Sequence, residues 1–198
     1  MIKLPYKYQV MFEFLGCPIV VPPEQMSAIV RTESSANPYA IGIVGHYLSR
    51  QPSNENEALA VVTALKDGDY NYSVGLSQIN KINFYRYLSF SKLFDKCSNL
   101  LAGSKILKAC YERLKDWGQA YSCYYSGDSI TGFKHGYVAK VKQNYTKPIL
   151  QVVAIPSASS APIKLISRKN KNSNDESLVK PPSLKQRRLN ASLSSIDS

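Results

Sequence analysis

Pro22-Pro23-Glu24-Gln25-Met26-Ser27-Ala28-Ile29-Val30-Arg31-Thr32-Glu33-Ser34 is the stretch on which the reading of the whole chain turns. Proline suits the first turn of a helix and Glu24 complements its N-terminal dipole, so a helix is predicted to begin here. Met26, Ile29 and Val30 recur at helical spacing, and Glu33 falls on the same stripe, seven residues after Met26. The carboxylate is therefore expected to point inward. Burial disfavours the ionised form, so a Glu placed this way can keep its proton near neutrality and donate it, as the general acids of glycosidic bond cleavage do. The competing reading is a helix end frayed at Ser34, Ser35 and Asn37-Pro38, with the side chain in water.

The 198 residues, 44% hydrophobic and 11% aromatic, suffice for one good core, but the apolar residues are unevenly spread. Aromatic residues stop before about Ile155, and Ser, Lys, Asn and Pro take over. Pro156 to Ser198 is expected to be largely disordered, within a basic Ser/Pro/Lys-rich tail counted as residues 151–198. The net charge of +11 suggests an anionic partner such as nucleic acid, anionic lipid or bacterial wall polymer. Part of it lies in the tail, at Lys164, Arg168, Lys169, Lys171, Lys180, Lys185, Arg187 and Arg188, so it is no single binding face. A solvated tail accounts for it equally well.

Cys17, Cys97, Cys110 and Cys123 form an even set that allows three pairings and suits an oxidising compartment, although four free thiols would read identically. There is no CxxC, and neither His46 nor His135 has a second ligand at a usual interval, so no metal or other cofactor is expected. No stretch approaches the roughly 20 apolar residues that span a bilayer. Residues 1–16 make a weak candidate export signal. Lys3 and Lys7 precede Val10-Met11-Phe12-Glu13-Phe14-Leu15, which is short and carries a charge, and Leu15-Gly16-Cys17 only faintly matches a lipoprotein cleavage site.

Outward from the first helix, Tyr39 to Gly45 reads as a glycine-punctuated strand or loop. Ser53 and Asn54 offer caps to a structural helix through Ala58, Leu59, Val62 and Leu65 that Gly68 stops. Asp69 to Leu76 alternates apolar with polar residues and leads into Gln78 and Asn80, whose amides would share one side of an extended segment. Asp95 and Ser98 are cap candidates for a core helix from near Ser98 to Lys115. Trp117, Ala120, Tyr121 and Tyr124 then fall at i, i+3, i+4 and i+7 before Gly127, which turns Tyr124 inward with a hydroxyl that needs a partner. A last amphipathic stretch holds Tyr137, Val138, Val141 and Tyr145, and Pro148 ends it. Neither a phosphate-binding GxxxxGK nor a nucleophilic GxSxG occurs.

Four stretches in order resemble the successive motifs of lysozyme-like soluble lytic transglycosylases: Glu33-Ser34 with Asn37-Pro38-Tyr39-Ala40, Gly75-Leu76-Ser77-Gln78-Ile79-Asn80, Ala120 to Gly127, and Tyr137-Val138-Ala139-Lys140-Val141. Pro38 to Gly42, Arg50-Gln51-Pro52, Gly103 to Leu107 and Ser122-Cys123-Tyr124-Tyr125 are similar to the specialised lytic transglycosylases of VirB-type type IV secretion systems. The similarity runs from about Cys17 to Val141. It implies an α+β, mainly α, lysozyme-like two-lobed domain over residues 17–150 with a small β-hairpin region. It also implies cleavage of the β-1,4 bond between N-acetylmuramic acid and N-acetylglucosamine with formation of a 1,6-anhydromuramyl end, opening the wall locally for a secretion or conjugation apparatus.

On that resemblance Glu33 is the catalytic acid and then base, and Ser34, Gln78, Asn80, Tyr124 and Tyr125 are the substrate-binding set, with Tyr124 holding Glu33. Tyr125 stands where classical members carry Asn, and Ser77 where many carry Met, both departures that resemble the VirB-type subfamily. Asp69 and Asp128, each beside Gly, are the acids that could serve a hydrolase of goose-type lysozyme kind instead. A catalytically silent basic assembly or nucleic-acid-binding protein is the reading from another class. The implied partners are peptidoglycan glycan strands and secretion components, with no specific nucleic acid, and the implied compartment is the periplasm. There the cysteines would be disulfides, paired Cys97 with Cys110 and Cys17 with Cys123.

Overall fold

The computed structural model describes residues 11–168. In chain order its elements are β1 (Phe12–Phe14), β2 (Cys17–Ile19), α1 (Pro23–Ser34), β3 (Ile41–Ile43), β4 (His46–Leu48), α2 (Glu55–Asp67), β5 (Tyr72–Val74), β6 (Ile79–Asn80), α3 (Phe84–Tyr87), α4 (Lys96–Leu114), α5 (Trp117–Ser126), α6 (Thr131–Lys134), α7 (Tyr137–Tyr145) and β7 (Leu165–Ser167). Helix α1 begins at the proline pair, as its sequence predicts. It ends in Ser35 and Ala36, both left-handed at φ 54° and 65°, whose N–H groups return to the carbonyls of Arg31 and Val30. Met26, Ile29 and Val30 are fully buried along it.

Two hydrophobic cores divide the chain into lobes. One gathers Ile19, Met26, Ile29, Leu107, Tyr121 and Val141 from the hairpin β1–β2 and the helices α1, α4, α5 and α7. The other gathers Ile41, Val62, Tyr72, Val74, Ile79 and Leu93 between helix α2 and the strands. The α+β, mainly α, two-lobed architecture is thus as expected, with a β region larger than a hairpin: an antiparallel sheet in the order β6-β5-β3-β4-β7. Side-chain caps open helices α2, α4 and α5. Asn54 caps α2 by accepting from Glu57 N–H, Asp95 caps α4 by accepting from Ser98 N–H, and Asp116 caps α5 by accepting from Gln119 N–H.

Asn99 joins the lobes. From the first turns of α4 its buried amide donates to the carbonyls of Val74 and Leu93, while its Oδ1 accepts from Ser77 N–H at 2.8 Å. Gly75, at φ 75°, allows this approach, since a Cβ there would come within 2.3 Å of Asn99 Nδ2.

The disulfides are Cys17–Cys97, tying β2 to the start of α4, and Cys110–Cys123, tying α4 to α5. The expected pairing of Cys97 with Cys110 and Cys17 with Cys123 is therefore corrected. Cys97 and Cys110 lie thirteen residues apart on one helix, α4, so their Cα atoms are separated by about 20 Å of helical rise, far beyond the roughly 7 Å that a disulfide tolerates.

Residues 12–16, counted above with the N-terminal segment, form β1 and the turn into β2, with Phe14 only 2% exposed; Lys3 and Lys7 lie outside the described residues. At the other end the chain from residue 151 does not leave the fold. Ala154 N–H donates to Ala36 O at 2.8 Å, Arg50 donates to the carbonyls of Ser159 and Ala161 at 3.0 and 2.8 Å, and β7 pairs with β4. The rest of the expected tail, 169–198, lies outside the described residues. Tyr145, expected on the inner stripe of α7, is 45% exposed at the helix end.

Candidate active site

Glu33 stands half-buried in the last turn of α1, and its Oε1 accepts a 2.6 Å hydrogen bond from the Tyr137 hydroxyl. Tyr137, 6% exposed, is the first residue of α7 and follows Gly136, whose φ of 70° sets the entry angle of that helix. The Tyr125 ring of α5 stacks on the Tyr137 ring, with centroids 4.5 Å apart and planes 26° from parallel. On another side His135 meets Tyr125 edge to face at 6.1 Å. Three helices thus converge on one carboxyl group.

One residue earlier on α5, Tyr124 donates to the carbonyl of Ser77 at 2.7 Å. Tyr124 thereby braces the β5–β6 loop, and the Tyr137 hydroxyl donates to Glu33. The loop is tightly held. Ser77 is fully buried, and Gly103 of α4 lies so near that a Cβ there would meet the Ser77 Cβ at 2.5 Å.

Gln78 and Asn80 do not share a face of an extended strand. Gln78 is left-handed at φ 47°, and its Nε2 folds back to donate to Ala40 O at 2.9 Å and Gly75 O at 3.0 Å. Asn80, expected to touch substrate, is 2% exposed: its Nδ2 donates to Tyr72 O and Asn71 Oδ1, and its Oδ1 accepts from Ile82 N–H. Its polar atoms bracket the sheet from inside. Tyr125 is likewise buried, at 4% exposure. Ser34 remains half-buried beside Glu33, with its hydroxyl donating to Val30 O along the helix.

The two other acids considered are committed elsewhere. Asp69 sits on an exposed turn and pairs with Lys81 at 2.8 Å, and that hydrogen bond holds its carboxyl below the ordinary range. For Asp128, burial pushes the carboxyl up, but hydrogen bonds from Thr131 N–H, the Thr131 hydroxyl and Ile130 N–H outweigh it and leave the group lowered. Among the described residues no group of three His, Cys, Asp or Glu side chains is arranged to hold a metal ion. None of the described helices is long and apolar enough to cross a membrane.

The chain matches the transglycosylase SLT domain over residues 15–147. It belongs to the SLT transglycosylase family. Among curated proteins it is 40% identical over 181 residues to the type IV secretion system protein virB1 of Brucella abortus, an alignment covering 79% of this chain and 76% of that protein. The virB1 of Brucella suis is similar to the same extent. Protein virB1 of Rhizobium radiobacter is 32% identical over 136 residues, 64% of this chain and 56% of its own. No solved structure matches.

The four SLT-like stretches are joined in space by three side-chain contacts: Tyr124 to Ser77, Tyr125 to Tyr137, and Tyr137 to Glu33. Tyr137 is the site residue that sequence reasoning leaves out. Its apolar spacing marks it as a core residue of α7, and only its place at the head of the fourth SLT-like stretch hints at more.

Proposed function

We propose that this chain is a peptidoglycan lytic transglycosylase acting outside the inner membrane. It cleaves the β-1,4 bond between N-acetylmuramic acid and N-acetylglucosamine and leaves a 1,6-anhydromuramyl end, opening the wall locally for a type IV secretion apparatus. The observation that carries this reading is the half-buried carboxyl group of Glu33, hydrogen-bonded by the buried Tyr137, while Asp69 is engaged in a surface ion pair and Asp128 in the turn that leads into α6. Membership of the SLT family and the virB1 relatives support the reaction class and its setting. The two disulfides suit an oxidising compartment.

One acid suffices for such a reaction. Protonated Glu33 gives its proton to the glycosidic oxygen as the C1–O bond breaks, and the acetamido oxygen of the muramic residue closes on C1. The carboxylate left behind then takes the proton of the C6 hydroxyl, whose oxygen displaces the acetamido oxygen and forms the anhydro bond. Glu33 ends protonated, ready for the next strand. Both nucleophiles belong to the sugar, already held at the reacting carbon, so no water need be positioned by a second carboxylate.

Digestion of purified sacculi tests this. Anhydromuramyl products that resist borohydride reduction are expected, together with their loss in Glu33→Gln. Reducible products one water heavier would instead make the protein a hydrolase.

A further inference from the structure

We propose that Tyr125 is a positioning residue for the Glu33 reaction, acting through Tyr137 rather than on the glycan. The assignment rests on the transglycosylase reading for its meaning, but its geometry stands by itself. Tyr125 is 4% exposed, its ring lies flat against that of Tyr137, and Tyr137 places its hydroxyl 2.6 Å from Glu33 Oε1.

Tyr137 needs such a support. It opens α7 with no side-chain cap ahead of it, directly after a left-handed glycine, so the turn that carries it is the one most prone to fraying. Two side-chain torsions separate its backbone from its hydroxyl, and a short hydrogen bond tolerates only small errors in both. A flat neighbour removes the freedom of the second torsion. Tyr125 can do this because its own backbone is pinned: Cys123, two residues before, is bonded to Cys110 of α4, and Tyr124, one residue before, is bonded to the β5–β6 loop. His135 closes the remaining side, meeting Tyr125 at 85° between ring planes. The stack thus transmits the rigidity of the α4–α5 pair to the acid on α1.

The test is a double-mutant cycle on digestion of sacculi. Tyr125→Leu should lower kcat by between about 10- and 100-fold with KM little changed, the scale on which a misplaced catalytic group costs rate. Tyr125→Phe, which keeps the ring, should rescue most of it. In a Tyr137→Phe background, where no hydroxyl remains to be placed, Tyr125→Leu should add nothing. Losses that multiply in the double variant would overturn the assignment, as would Tyr125→Phe behaving like Tyr125→Leu. Tyr125→Met, of similar volume without a flat face, replaces the leucine variant if that one does not fold. A second readout needs no activity. Tyr137→Phe removes a donor that favours the ionised carboxyl, so the Glu33 titration followed by carbon NMR should move upward, and Tyr125→Leu should move it in the same direction. A Glu33 titration left at its wild-type position in Tyr125→Leu sinks the proposal even if the wild type proves inert on sacculi, an outcome that would fail the transglycosylase reading instead.

Discussion

The hydroxyl of Tyr137 donates to Oε1 of Glu33 across 2.6 Å, bridging residues 104 positions apart in the chain. A hydrogen bond to a charged group contributes about 1.5–3 kcal/mol. If it steadies the carboxyl through both proton transfers, Tyr137→Phe should lower kcat by roughly 10- to 100-fold while the protein keeps its helical circular dichroism. Wild-type turnover in that variant would remove Tyr137 from the reaction.

Gly103 sets how closely α4 approaches the loop that Tyr124 braces. A Cβ at this position would meet the Ser77 Cβ and Oγ at 2.5 Å and the Met26 Cε at 3.0 Å. The Ser77 Cβ cannot retreat without moving a backbone that is bonded to both Asn99 and Tyr124. Gly103→Ala should therefore destabilise the fold by about 1–3 kcal/mol, as overpacking does, and weaken activity through the displaced loop. The combined Ser77→Gly and Gly103→Ala change should recover much of the urea midpoint. A double variant no better than Gly103→Ala alone would place the strain elsewhere.

The Glu57 carboxylate accepts two hydrogen bonds from the Arg50 guanidinium, at 2.8 and 2.9 Å, and two more from Ser53. Chiefly through Arg50, its pKa is lowered from an ordinary 4.5 to about 2. A group depressed in the folded state stabilises that state above its unfolded value and loses the contribution as pH falls through the folded one. Stability should therefore drop between about pH 4.5 and 2, and Glu57→Gln should flatten this arm of the urea-midpoint curve. Since Arg50 also holds the carbonyls of Ser159 and Ala161, protease cleavage in the segment from 155 to 165 should rise over the same range. An unaltered acid arm in Glu57→Gln would locate the titration in other carboxylates.

Legibility follows locality. The caps at Asn54 and Asp95 and the stripe Met26, Ile29, Val30, Glu33 are visible in the sequence because each is decided within a few residues. Gln78 and Asn80 are not. The left-handed φ at Gln78 leaves no mark in its residue type, and Asn80 turns inward because Asn71, Tyr72 and Ile82 offer it partners there. Spacing places Tyr124 inward, but the bond from Tyr137 to Glu33 depends on how α1 and α7 pack. The segment beyond residue 151 joins the fold mainly through backbone hydrogen bonds, which composition does not record. The disulfide pairing was partly readable: a helix predicted through Cys110 from near Cys97 already puts those two thiols out of reach.

The two disulfides should differ in kind when removed. Cys17–Cys97 closes a separation of 80 residues and Cys110–Cys123 one of 13. In the chain-entropy account these correspond to about 4.5 and about 3 kcal/mol of stabilisation, so Cys17→Ser with Cys97→Ser should give the lower urea midpoint. Activity should rank the other way. Cys123 immediately precedes Tyr124 and Tyr125, and the bond to Cys110 fixes the turn of α5 that supports both the Ser77 loop and the Tyr137 ring. Serine at Cys110 and Cys123 should therefore cost more turnover per folded molecule than serine at Cys17 and Cys97, measured on sacculi under conditions where both variants remain folded. Equal losses would mean that α5 keeps its place without its covalent tie, and that packing against α4 alone carries the site.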